Sequence, residues 1–175
     1  MTTPPLCPNS ESRSVGVVGF GRFGRLAARY LSADHSVNVF DPVIDPKAVF
    51  SAGGTPVSFA DACRQNVVVL AVPIASFRDV VRQMAGYLQP GTLVADVCSV
   101  KVYPVQWMRE LLPPDVSLLA THPMFGPDSA ADSLQGRKIF LWPERIAADR
   151  YRAVKAYLRR SGLQLIEDTP EAHDR

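Results

Sequence analysis

An imidazole that follows an apolar run is the chain's best-equipped proton acceptor. His122 stands in Thr121-His122-Pro123-Met124-Phe125-Gly126-Pro127, and the proline after it biases its backbone to an extended form that fixes where the ring points. Imidazole titrates near neutrality, so it can accept a hydroxyl proton when an alcohol carbon gives up hydride. The competing reading is a histidine held by a loop hydrogen bond. Ser99, in Asp96-Val97-Cys98-Ser99-Val100-Lys101, follows a neighbouring apolar run and also has two readings. It hydrogen-bonds the imidazole or a substrate hydroxyl, or it caps the next helix. Lys101 either meets a substrate carboxylate or is a solvated charge. His35 falls in a predicted turn, outside this set.

A hydride needs an acceptor, and Ser14-Val15-Gly16-Val17-Val18-Gly19-Phe20-Gly21-Arg22-Phe23-Gly24 offers a place for one. Here an apolar strand opens directly into G-x-G-x-x-G. Gly19 permits the tight turn, Gly21 lets backbone approach a pyrophosphate, and Gly24 lets the following helix pack close to the strand. The helix start then presents amides and a positive dipole end to the phosphates. A second strand, Ser36 to Asp41, ends on an acid about twenty positions after the first glycine, the spacing that suits an adenosine ribose. Asp41 would accept the ribose hydroxyls and repel a 2′-phosphate, favouring NAD over NADP; alternatively, an acid before Pro42 only starts a turn. Phe20, Arg22 and Phe23 complete the glycine segment of the expected cofactor site. Ala71, Val72 and Pro73, after a further strand, and Ser99 join it. No metal ligand set is expected.

These residues need a scaffold that brings strand ends together. Strand and helix signals alternate along the chain, which predicts an α/β fold of the Rossmann type, a doubly wound and mostly parallel sheet with helices on both faces. Phe23, Leu26, Ala27, Tyr30 and Leu31 recur at helical spacing after the glycine turn. The stretch from Asp41 to Gly54 is turn-rich with room for one short helix. Asn66 to Val72 reads as a fully buried strand, because a β-branched run without alternation suits a sheet covered on both faces. Ile74, Phe77, Val81, Met84 and Leu88 form a helical stripe stopped by Pro90-Gly91. Thr92 to Asp96 is a strand, and Val105, Met108, Leu111 and Leu112 mark a helix ended by Pro113-Pro114. Ser117 to Thr121 and Lys138 to Trp142 are strands, Ala147 to Leu158 a helix, and Leu163 to Ile166 a final strand. In such sheets ligands sit beyond the carboxyl ends of the strands, where the glycine turn, Ala71 to Ile74, Ser99 and His122 all fall.

Bulk properties narrow the function. The 175 residues fit one domain, and 19 basic against 17 acidic residues give a formal charge of +2, too balanced for a nucleic-acid surface. Cys7, Cys63 and Cys98 are odd in number and lack metal-ligand spacing, so a reducing, cytoplasmic setting is expected. Residues 1–13 read as a loose polar tail without a signal-peptide core. No apolar run approaches the length of a membrane span.

Taken together, GFGRFG with Asp41, AVPI at 71–74, DVCSVK at 96–101 and THPMFGP at 121–127 resemble the prephenate and arogenate dehydrogenases of tyrosine biosynthesis. The SVK and THPMFGP segments are especially similar to the arogenate type. The resemblance implies NAD(P)-dependent oxidative decarboxylation of prephenate or arogenate, with hydride passing from the ring hydroxyl carbon to the nicotinamide. It puts the catalytic histidine on His122 and the active-site serine on Ser99. It also implies a second, all-helical domain that forms a homodimer and supplies the groups gripping the substrate carboxylates. On that basis residues 14–169 are the dinucleotide-binding domain. Residues 170–175, Pro170 to Arg175, look like the opening of the helical domain, which leaves His173 without an assigned role. Two alternatives stand beside this reading: an NAD-binding module without turnover, and another Rossmann dehydrogenase of the 3-hydroxyacid type.

Overall fold

The computed structural model describes residues 14–175. The tail expected over residues 1–13, with Cys7, lies outside them. An eight-stranded sheet with strand order β3-β2-β1-β4-β5-β6-β7-β8 organises the chain. The first half runs β1 (Ser14–Val18), α1 (Arg22–Leu31), β2 (Ser36–Phe40), α2 (Pro46–Ser51), β3 (Gly54–Pro56), α3 (Phe59–Cys63), β4 (Val67–Leu70) and α4 (Ile74–Met84). The second runs β5 (Leu93–Asp96), α5 (Val102–Leu111), β6 (Ser117–Pro123), β7 (Lys138–Arg145), α6 (Ala148–Arg160), β8 (Gln164–Glu167) and α7 (Pro170–His173). Strands β1 to β6 are mutually parallel, so their carboxyl ends share one edge. β7 pairs antiparallel with β6, and β8 follows β7 in parallel. The expected doubly wound, mostly parallel sheet is the fold observed.

Side-chain alternation along the strands divides the interior into two cores. Val15, Val17, Val39, Val67 and Leu119 face α1, α2 and α6, meeting Ala28, Val49, Tyr151 and Val154. Val18, Val68, Leu70, Val94 and Leu118 face α3, α4 and α5, meeting Ala62, Phe77, Met84 and Met108. Phe77 and Met84 are completely buried, and burying side chains of this size stabilises by about 1.5–3 kcal/mol each. Such burial on both faces is what the uninterrupted valines of β4 require.

The structure adds two elements to those expected and moves one. β3 starts at Gly54, the last residue of the turn-rich stretch, and α3 falls between it and Asn66, where no element was expected. β3 exists through its pairing with β2, Val37 opposite Gly54 and Val39 opposite Pro56, and α3 begins where the Ser58 hydroxyl accepts the Asp61 amide at 3.1 Å. His122 was expected after its strand but lies within β6, opposite Phe140 of β7. The antiparallel β7 extends the pairing past Thr121 to Pro123 and fixes the histidine's backbone.

Candidate active site

The glycine turn, the ends of β4 and β5, and His122 on β6 line one cleft of about 810 Å³ along the carboxyl edge of the sheet. At its β1 end the geometry is backbone geometry. Gly19 has φ +98, and a Cβ there would lie 2.5 Å from the Ala71 carbonyl. A Cβ on Gly24 would lie 2.1 Å from the Gly19 carbonyl, so α1 can approach the turn only without one. At Gly21 a Cβ would meet no atom within 4 Å, which leaves room for an incoming group. Helix α1 starts at Gly21 with no side-chain cap and no acid in its first turn. Its leading amides therefore remain available to an anion.

Asp41 lies just beyond β2 and fastens this turn. One carboxylate oxygen accepts the Phe20 amide at 2.7 Å and the other accepts the Val43 amide at 2.9 Å. Both sequence readings of Asp41 are thus compatible in one residue, since a carboxylate has lone pairs left after two such bonds. Phe20 and Gly24 are buried beneath the cleft, whereas Gly21, Arg22, Phe23, Ala71, Val72 and Pro73 line it. An open glycine turn, free helix amides and an acid at the end of β2 form a donor and acceptor set that fits a dinucleotide.

The β6 end is built from side chains distant in sequence. His122 is half-buried, and its Nδ1 lies 2.9 Å from His173 Nε2. His173 Nδ1 in turn lies 2.7 Å from an Asp174 carboxylate oxygen. That carboxylate accepts the amides of Lys101 at 2.8 Å and Val102 at 2.9 Å, capping α5 from the far end of the chain. The His173 ring also packs on Phe140, with centroids 4.5 Å apart. Burial lowers the His122 pKa below the ordinary histidine value, and the positive charge available on His173 and Lys101 lowers it further against the opposing pull of Asp174. Burial alone would raise Asp174, but the Val102 amide, His173 and the Lys101 amide outweigh it and hold the carboxyl low.

Lys101 fulfils neither expectation. Its ammonium is completely buried and donates to the Asp96 carboxylate and the Thr121 carbonyl. It is neither solvated nor part of the cleft lining. A lone Asp96 at the end of a doubly covered strand would be costly to bury, and Lys101 is its counter-charge. Burial pushes the Asp96 carboxyl up, and the ammonium with the amides of Cys98 and Thr121 draws it back. Ser99 is exposed and lines the cleft. It does not cap α5, because the N-cap position belongs to Lys101 and the capping carboxylate to Asp174. Beside it, burial pushes the Cys98 thiol up to about 12, keeping it protonated and inert.

His173, Asp174 and Asp96 are the site residues that sequence reasoning missed. Asp96 had a usable signal, an acid closing an apolar strand that both faces cover. The pairing of His173 with His122 had none, because it depends on the direction of β7 and β8. A separate, mainly apolar cavity of about 330 Å³ lies between α1 and α6, lined by Leu26, Val69, Ala95 and Val154. It includes none of His122, Ser99 or Asp41. No helix among the described residues is long and apolar enough to cross a membrane.

Comparison with known proteins gives the chain a family and its fold counterparts. Residues 33–167 match the family described as prephenate dehydrogenase, nucleotide-binding domain. The chain is 30% identical over 179 residues to arogenate dehydrogenase 2, chloroplastic, of Arabidopsis thaliana, covering 94% of this chain and 49% of that protein. It therefore spans about half the length of that relative. Among solved structures, prephenate dehydrogenase from A. aeolicus in complex with hydroxyphenyl propionate and NAD+ superposes with a TM-score of 0.72 at 24% identity, over 94% of this chain and 63% of that one. Synechocystis arogenate dehydrogenase gives 0.77 at 22% identity, over 91% and 61%. At those identities the structures speak for the fold.

Proposed function

The chain belongs to the family of prephenate dehydrogenase nucleotide-binding domains, and from that premise we propose that it binds NAD and furnishes the base for oxidative decarboxylation of prephenate or arogenate. The observation that carries the reading is the single cleft, which joins a dinucleotide-shaped glycine turn to a neutral histidine. The glycine turn and the amides of α1 hold the pyrophosphate, and Asp41 takes the adenosine ribose. Its negative charge favours NAD over NADP. When bound, the nicotinamide supplies the hydride acceptor. His122 takes the hydroxyl proton as hydride leaves the same carbon, so the oxygen's bonding electrons become a carbonyl. Loss of the ring carboxylate as CO₂ then returns electrons to the ring, and His122 gives its proton back to the phenol oxygen. Ser99 orients the hydroxyl from the cleft wall.

Carboxylate recognition, dimer formation and the choice between prephenate and arogenate belong, in this proposal, to the helical domain of the family and to the face that begins near Pro170. A cytoplasmic location is part of the same proposal, though the Arabidopsis relative is named chloroplastic. Isothermal titration of the chain with NAD and NADP tests the cofactor half, with tighter NAD binding expected. Formation of reduced cofactor with prephenate and with arogenate, by the chain alone and joined to a family helical domain, tests the rest. NAD binding without turnover in any of these would reduce the protein to a binding module.

A further inference from the structure

We propose that His173 and Asp174 act as positioning residues that lock His122 in its Nδ1–H tautomer, leaving Nε2 as the only lone pair directed to reaction. The inference rests on the dehydrogenase reading for its purpose and on geometry for its content. The Asp174 carboxylate accepts only, and at 2.7 Å its partner on His173 Nδ1 must carry a proton. In a neutral His173 the other nitrogen, Nε2, is then an acceptor. That nitrogen faces His122 Nδ1 at 2.9 Å, so the proton between the two rings belongs to His122. A neutral histidine has one N–H, and spending it on Nδ1 strips Nε2 bare. Nε2 has no hydrogen-bond partner among the described residues, while the ring borders the cleft.

Each link of this chain is held independently. Asp174 is fixed by the Lys101 and Val102 amides at the start of α5. His173 is fixed by the Phe140 ring and by the Thr169 side chain, which caps α7 at the Ala172 amide. Other charged groups near His122 are Lys101 and its partner Asp96, whose buried charges are committed to each other. When His122 Nε2 takes the substrate hydroxyl proton, the imidazolium keeps its Nδ1–H bond to His173, and Asp174 meets the new charge through that ring. No proton need travel beyond His122. The wrong tautomer would leave Nε2 protonated and unable to accept, a defect that costs several orders of magnitude in hydrolases relying on a carboxylate to hold a histidine.

Long-range ¹H–¹⁵N NMR of the full chain, without cofactor or substrate, reads the tautomer directly from the shifts of the two ring nitrogens. Above its titration point, His122 is expected to show a protonated Nδ1 and a bare Nε2. In His173→Ala, which removes the acceptor facing Nδ1, the protonated nitrogen should become Nε2. His173→Gln, whose amide oxygen can accept the same N–H, should restore the Nδ1–H form. A wild-type His122 protonated at Nε2 would overturn the proposal, as would an unchanged tautomer in His173→Ala with its fold intact by amide shifts. Because no turnover is involved, a correct tautomer in a chain that never oxidises prephenate or arogenate would uphold the lock and sink the dehydrogenase reading instead.

Discussion

At the β1 end of the cleft the site is made of backbone, and at the β6 end it is made of side chains. Gly19, Gly21 and Gly24 act by what they lack, and their partners lie within the first βαβ unit and the neighbouring β4. His122 acts through a chain of polar groups that reaches His173, Asp174 and the start of α5. A local backbone device tolerates change elsewhere in the molecule. A relay assembled from distant segments depends on every strand that separates them.

That contrast predicts separable losses, the largest at the base. His122→Ala should reduce turnover by about 10²- to 10⁴-fold, the usual span for removing a general base, while calorimetry gives an NAD affinity within about twofold of the native value. An equal fall in both would mean that the two ends of the cleft are one unit. The acid limb of the turnover profile should also lie below the ordinary histidine range, because His122 is held neutral.

Next in size is the buried pair beneath the relay. Lys101→Met leaves the Asp96 carboxylate completely buried without its counter-charge, which costs about 3–5 kcal/mol where one partner of a buried pair is removed. Urea unfolding measures it. Adding Asp96→Asn, which removes the buried charge and whose single amide oxygen still accepts either the Cys98 or the Thr121 amide, should recover part of the loss. No recovery would assign the damage to packing instead of charge.

How legible each end was follows the same divide. The glycine turn could be read in the sequence because Gly19, Gly21 and Gly24 answer to constraints within a few residues. β3 could not, since Gly54-Thr55-Pro56 carries no strand pattern and exists by pairing with β2. His122 and Ser99 were singled out from their position near strand ends, and the structure brings both to the cleft. Lys101 was misread because a lysine after a strand ordinarily points to water, and only the burial of Asp96 explains why this one does not. His173 was set aside because nothing local reveals that β8 runs antiparallel to β6. That direction returns the chain past Glu167 to the α5 side of Phe140.

At the backbone end, Asp41→Ala removes two bonds from carboxylate to amide, at 2.7 and 2.9 Å, together with the expected ribose acceptor. Hydrogen bonds to a charged group contribute about 1.5–3 kcal/mol each, so NAD affinity should fall at least about tenfold. Discrimination against NADP should relax with it. Calorimetry with both cofactors is the measurement, and native protein that prefers NADP would refute the role given to Asp41.

Acid should loosen the β6 end before the β1 end. The His122 pKa is lowered by folding, so the unfolded chain binds more protons and stability declines as pH falls below about 6.5. The Asp174 pKa is also lowered, so its stabilisation is present above the ordinary carboxylate range and is lost as pH drops through the lowered value. Amide protection relative to the intrinsic exchange rate at each pH should therefore fall in acid at Lys101 and Val102, whose N–H groups Asp174 accepts, ahead of Gly19, whose amide donates to the Phe40 carbonyl. Simultaneous loss of protection would show one cooperative unit.

The smallest effect is expected where the two ends touch across solvent. Arg22, at the start of α1, meets Asp128 beyond β6 at 2.6 Å, but both side chains are largely exposed. Exposed pairs contribute about 0–1 kcal/mol and weaken with salt. Arg22→Ala should therefore shift unfolding stability by less than about 0.5 kcal/mol, and added salt should shrink even that. A loss above about 1 kcal/mol, insensitive to salt, would mean that this pair clamps the cleft. The backbone end and the side-chain end would then be coupled at the mouth as well as through the sheet, and the separate losses expected for His122 and Asp41 could no longer hold.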